Sequence, residues 1–197
     1  MVEFLPLPSN NLAQGATYCQ PLQTPSAHVE LGNPAARVMT DLNEVMAVTI
    51  GPEKTVEAAR ERMIRHSVRL LLVIDDQESV LGLVTATDIL GEKPLQFIQK
   101  SGGRREDVLV SNIMTPQEKL EVLCMQEVVA AKVGHVVATL KKCGRQHALV
   151  VDSEEPGQAQ RVRGIFSTSQ ISRLLGTEIQ TLEIAQTFAE IQAQLAK

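Results

Sequence analysis

The sequence predicts an α/β (α+β) fold of two pseudo-symmetric units, each ordered strand, helix, strand, strand, helix and packed against the other through small sheets. Three repeated segments predict it. Val38-Met39-Thr40 returns as Ile113-Met114-Thr115, and Leu71–Asp76 (LLVIDD) returns as Leu149–Ser153 (LVVDS). Gly82–Leu90 (GLVTATDIL) returns as Gly164–Ser172 (GIFSTSQIS). The spacing grows along the chain, from 75 residues between Met39 and Met114 to 77 between Asp75 and Asp152 and 82 between Gly82 and Gly164. Self-similarity at a fixed order marks a repeated structural unit, and the drift places small insertions in loops, Glu154–Gln160 being the last.

The chain divides accordingly into an arm (residues 1–34), a first repeat (35–105), a second repeat (106–176) and a C-terminal helix (177–197). Pro6, Pro8, Pro21, Pro25 and Pro34 crowd the arm, and each fixes its own φ and lacks an amide donor, so the arm is extended. Its apolar residues, Phe4 and Tyr18 among them, set it apart from an ordinary disordered tail. A mobile leader and an arm lying on its own domain or on a partner subunit both remain open.

In the first copy, Val48–Ile50 is a short β-branched strand. The segment after it puts Val56, Ala59 and Met63 on one helical face. Leu70–Ile74 is an unbroken apolar run, as in a strand buried on both faces. Asp75–Glu78 is a polar turn, Val80–Val84 the return strand, and a helix starts at Thr87. In the second copy Val133, Val136, Val137 and Leu140 form the helical face, His147–Val151 the buried strand and Arg163–Phe166 the return strand. Gly176 ends the last helix and Thr177–Gln180 starts a fresh one with a capping-box pattern. Ile184, Phe188, Ile191 and Leu195 then make an amphipathic stripe, suited to packing on its own module or to a helix contact in a dimer.

Composition excludes several functions. Aromatic residues are 3% of the chain, with no Trp, too few for carbohydrate or base-stacking platforms. A net charge of −4 gives no footprint for nucleic acid. Cys19, Cys124 and Cys143 lack metal-ligand spacing and a nucleophile signature, and their odd number suits a reducing compartment. His28, His66 and His135 share no ligand spacing. Asp75 and Asp76, adjacent in a strand, would point to opposite faces, so a turn explains them better than acid–base chemistry. Gly103–Val108 reads as a solvated loop. The N-terminus shows no signal-peptide pattern and no run approaches the length of a membrane span, so the expected location is cytoplasmic.

The copies differ in kind at one position, where Asp88 in Thr85-Ala86-Thr87-Asp88 faces Gln170 in Ser167-Thr168-Ser169-Gln170. A hydroxyl followed three residues later by an acid or amide is a capping box, which suits Gln170 fully and the shorter Asp88 somewhat less. The other reading uses the same helix start as an anion site, with the two carboxylate oxygens accepting from a ribose diol. Gln has one acceptor and an NH₂ donor, so a ribose site built on it is weaker by about 5- to 100-fold.

The doubled unit, the IMT lead-in, the LLVID strand and the Gly-x-x-Thr-x-x-Asp ending together resemble a tandem pair of CBS (cystathionine β-synthase) domains, a Bateman module, over residues 35–176. The resemblance implies a freestanding regulatory protein without catalytic activity or catalytic cofactor, and an adenosyl ligand (AMP, ADP, ATP or S-adenosylmethionine) in the cleft between the repeats. It implies a first site of Ala47, Val48, Val68, Arg69, Leu83, Thr85 and Asp88, with Thr85 and Asp88 on the ribose. It implies a second, weak or vacant site of Val122, Arg145, Gln146, His147, Ile165, Ser167 and Gln170. Disc-like homodimers and an unidentified effector protein complete the expectation, and a ligand-free scaffold for dimerisation is the competing reading.

Overall fold

The computed structural model describes residues 29–152 and 160–179. The arm up to residue 28, residues 153–159 where an insertion is expected in a loop, and the stripe from Ile184 to Leu195 lie outside the described residues. A 3-10 turn at Ala35–Val38 leads into β1 (Thr40–Asp41), followed by β2 (Thr49–Ile50), α1 (Val56–His66), β3 (Leu70–Ile74), β4 (Val80–Thr85), α2 (Ala86–Leu90) and α3 (Lys93–Ser101). Then come α4 (Val110–Ile113), β5 (Thr115–Pro116), β6 (Val122–Cys124), α5 (Met125–Ala130), α6 (Val133–Cys143), β7 (His147–Val151), β8 (Val162–Ser167) and α7 (Thr168–Leu175).

Local chemistry accounts for the elements. Thr55 caps α1, its Oγ1 accepting from Ala58 N at 3.2 Å, and Ser67 in the left-handed region (φ 54°) ends it. Val56, Ala59 and Met63 are its buried face. Asp75 closes the polar turn by accepting from Gln77 N and Ser79 N at 2.9 and 2.8 Å. The helix expected from Thr87 is short: α2 ends at Gly91 and a separate α3 begins with Pro94 in its first turn. Residues 125–130 form α5, a helix that the sequence pattern gave no reason to place.

The strands form two four-stranded sheets, ordered β2-β3-β4-β5 and β6-β7-β8-β1. In each, a short strand runs parallel to the central one, which pairs antiparallel with the return strand. The fourth strand of each sheet comes from the other repeat. β1 pairs with β8 (Thr40 opposite Ile165), and β5 pairs with β4 (Thr115 opposite Leu83). The cores follow this exchange. Ala35, Val38 and Met39 pack with Val133, Val150 and Phe166, while Val108, Val110 and Ile113 pack with Val56, Leu71 and Val84. Backbone bonds tie the same segments down, Val56 N donating to Val108 O and Ala35 N to Ala131 O, both at 2.9 Å. The boundaries 35–105 and 106–176 follow chain order, whereas each packed unit draws its lead-in from the opposite repeat.

This exchange also gives the repeated glycine its reason. A Cβ on Gly82 would meet the carbonyl oxygen of Thr115, and one on Gly164 would meet the side chain of Met39. Between the units, alternation along β3 sends Leu71 and Val73 into its own core, and Leu70 and Leu72 onto Leu149 of the other unit. The two sheets therefore pack face to face, as the unbroken apolar run predicts. No helix among the described residues is long and apolar enough to cross a membrane.

Candidate functional site

A buried carboxylate is the first sign of a site. Asp88 is 8% exposed, and burying an ion is costly unless donors satisfy it. Three do. Asp88 Oδ2 accepts from Thr85 N and from Thr85 Oγ1, both at 2.8 Å. Asp88 Oδ1 is ion-paired with Lys93 Nζ, and Thr85 Oγ1 accepts from Asp88 N at 3.2 Å. The capping box is thus complete at Asp88, the residue expected to suit it less.

Gln170 does not cap. Ser167 makes no side-chain cap bond, and Gln170 Oε1 accepts from Thr40 Oγ1 at 2.9 Å. The exchange explains this reversal, because β1 lies beside β8 and presents a hydroxyl that the longer amide reaches. Asp41 beside it is ion-paired with Arg163, so the crossing strand is held at two adjacent residues.

Asp88 lines a cavity of about 230 Å³. One wall is Leu83, Thr85, Asp88 and Lys93; another is Thr115, Lys119, Leu120 and Glu121; the third is Arg145, Gln146, His147 and Leu149 of the second repeat. Arg145 pairs with Glu121 at 3.1 Å, and Gln146 Nε2 donates to Thr87 Oγ1 at 3.1 Å across the unit boundary. Burial holds the imidazole of His147 down at about pKa 4, the Arg69 charge adding to the effect and Asp88 partly opposing it. His147 is therefore neutral at pH 7 and presents one donor and one acceptor.

The cavity draws on residues of both expected sites: Leu83, Thr85 and Asp88 of the first line it together with Arg145, Gln146 and His147 of the second. Ala47, Val48, Val68 and Arg69 do not line this cavity. Ala47 packs against the cluster between the sheets, Val48 and Val68 against the first core, and the carbonyl of Arg69 accepts from Ala86 N at 2.9 Å. Of the remaining second-site residues, Val122 is exposed on its strand, Ile165 packs between the sheets, and Ser167 and Gln170 sit at the start of α7 beside β1. The physical reason is the face-to-face packing, which sets the end of β4 against the start of β7.

Lys93, Thr115, Lys119, Leu120 and Glu121 complete the cavity without having been singled out in the sequence. Thr115 had a signal, its place in the repeated lead-in, but its partner strand could not be read from chain order. Among the described residues no group of His, Cys, Asp and Glu is arranged to hold a metal ion.

The CBS-domain family model matches residues 36–94. Inosine-5'-monophosphate dehydrogenase of Halobacterium salinarum is 36% identical over 92 residues, 47% of this chain and 17% of that enzyme. The chain thus spans 17% of the length of the curated relative it matches. An uncharacterised conserved protein from Pyrococcus horikoshii superposes with a TM-score of 0.54 at 24% identity, over 78% of this chain and 99% of that one. CBSX2 of Arabidopsis thaliana, solved in complex with AMP, superposes with a TM-score of 0.51 at 22% identity, over 72% and 95%. Residues 36–94 thus match the CBS-domain family model, and the two units together have the fold of solved CBS-domain pairs.

Proposed function

We propose that this chain is a regulatory, non-catalytic module that binds an adenosyl ligand (AMP, ADP, ATP or S-adenosylmethionine) in the cavity at Asp88. The observation that carries this reading is a buried carboxylate at the mouth of a helix, facing a cavity between two units, with Leu83, Leu120 and Leu149 as its apolar surface and Lys119 and Arg145 as cations. The leucines suit a purine face, and the cations suit phosphate. Oδ2 already takes two protons from Thr85, whereas Oδ1 takes only Lys93. A carboxylate oxygen has two lone-pair sites, so Oδ1 can accept one ribose hydroxyl without breaking the capping box. The resemblance of the solved relative that holds AMP supports the ligand class. Ligand in this cavity favours one arrangement of the two units over another by its differential affinity for them, and a separate effector protein, with the chain as a homodimer, reads the result.

The satisfaction of Asp88 by Thr85 and Lys93 also favours a second reading, a scaffold that binds no ligand. Thermal-shift titration with the four ligands, followed by calorimetry, separates the two. A sensor gives a saturable rise with about one ligand per chain, and Leu120→Glu, which replaces part of the apolar purine face with a carboxylate that would repel phosphate, abolishes it. No rise with any ligand at millimolar concentration leaves the scaffold.

A further inference from the structure

A second cavity, of about 310 Å³, lies between α3 and the segment that carries α4 and β5. It adjoins the first, the two sharing Lys93, Thr115 and Lys119. Its lining includes three ammonium groups, Lys93, Lys100 and Lys119, and no carboxylate. Lys93 is ion-paired with Asp88, whereas Lys100 and Lys119 form no ion pair among the described residues. The chain carries a net charge of −4, so general attraction to anions does not explain three unneutralised or shared cations around one hollow. Like charges held on a concave wall raise the local potential and concentrate anions there. Asn112, whose Oδ1 accepts from Leu109 N, adds an amide donor to the lining, while Gln96 Nε2 donates to Glu92 at 3.0 Å.

We infer that this outer cavity is a phosphate subsite, with Lys100 and Lys119 as its charge and Lys93 at the border with the inner pocket. An ammonium group binds phosphate as a point charge without fixed geometry, which suits a chain of phosphates better than a single planar carboxylate. Two sources have this chemistry. One is the terminal phosphates of a nucleotide whose ribose sits at Asp88, in which case the module selects ATP over AMP. The other is a separate anion such as pyrophosphate. The first rests on the function proposed above, and the second does not.

Lys100 tests the inference, because it is exposed on α3 and lines only the outer cavity, so Lys100→Glu leaves the fold and the inner pocket intact. The full chain is titrated calorimetrically with AMP, ATP and pyrophosphate at fixed ionic strength. Lys142→Glu, the same charge change on α6 away from both cavities, is the control. A nucleotide tail predicts ATP binding roughly tenfold or more tighter than AMP; Lys100→Glu removes that advantage, AMP affinity is unchanged, and Lys142→Glu does neither. A separate anion predicts pyrophosphate binding that Lys100→Glu abolishes, with ATP and AMP alike. Pyrophosphate binding without any adenosyl binding sustains the subsite and overturns the proposed function. Lys100→Glu without effect on any of the three, equal losses in both variants, or no binding of ATP or pyrophosphate overturns the subsite.

Discussion

Thr85 and Ser167 occupy the same place in the two copies, at the end of a return strand and the start of a helix, yet their surroundings diverge three residues later. At Asp88 a buried carboxylate turns one oxygen back to its own cap and the other to Lys93, beside a cavity. At Gln170 a neutral amide reaches outward to Thr40 of the crossing strand. One copy keeps a buried charge beside a cavity, and the other uses the same position to hold β1. On the function proposed above, the duplicated motif divides two uses, recognition and assembly, between its copies. The difference shows why pattern alone misassigned the cap: the box depends on which partner the packing supplies.

The glycines test the assembly half of this comparison most severely. In Gly82→Ala the new methyl meets a backbone carbonyl of β5 that cannot move without breaking the β4–β5 pairing, so a loss of about 1–3 kcal/mol is expected. In Gly164→Ala the obstacle is the flexible Met39 side chain, and the loss is smaller. Urea denaturation of both variants measures the difference, and equal losses would refute the rigid-neighbour argument.

Asp88→Ala and Gln170→Ala sharpen the division of roles. Loss of the Asp88 cap is expected to cost about 0.5–2 kcal/mol together with the adenosyl-dependent thermal shift. Gln170→Ala removes one neutral hydrogen bond, about 0.5–1.5 kcal/mol, and leaves the shift in place. A ligand shift that survives Asp88→Ala but fails in Gln170→Ala would reverse the assignment.

The effect at His147 appears only as the pH is changed. Its folded pKa is depressed from 6.5 to about 4, so below pH 6.5 the unfolded chain takes up the proton first. Its contribution is complete above pH 6.5 and is lost as the pH falls toward 4, by at most about 1.4 kcal/mol per pH unit for one proton. The stability of His147→Gln should fall less steeply over that window than that of the natural chain. Parallel pH profiles would mean that the imidazole is not buried in solution.

Much of the fold was legible because it rests on local pattern. The unbroken run at Leu70–Ile74, the face of Val56, Ala59 and Met63, and the left-handed stop at Gly176 (φ 67°) all stand where periodicity and glycine place them. Thr85 and Asp88 were legible as a pair because three-residue spacing at a helix start fixes their contact. What pattern could not supply was anything decided across the unit boundary. The pairing of Thr40 with Ile165 joins residues far apart in the chain, and no periodicity encodes it. For the same reason Arg145, Gln146 and His147 were read with their own copy, and nothing in the local pattern marks Lys93 and Lys119.

The crossed lead-ins impose an order of events on synthesis. As the chain emerges from the ribosome, β1 is among the first of these strands to appear, but its partner Ile165 is made only after β2 to β7 are complete. The first sheet can close as soon as β5 follows β4, so it is finished while Thr40 and Asp41 still wait with unpaired backbone. Domains fold as units during translation, and contacts between distant residues form last. The early repeat therefore leaves the tunnel holding out a strand for a sheet that does not yet exist, and β1 can pair only once β8 has been made.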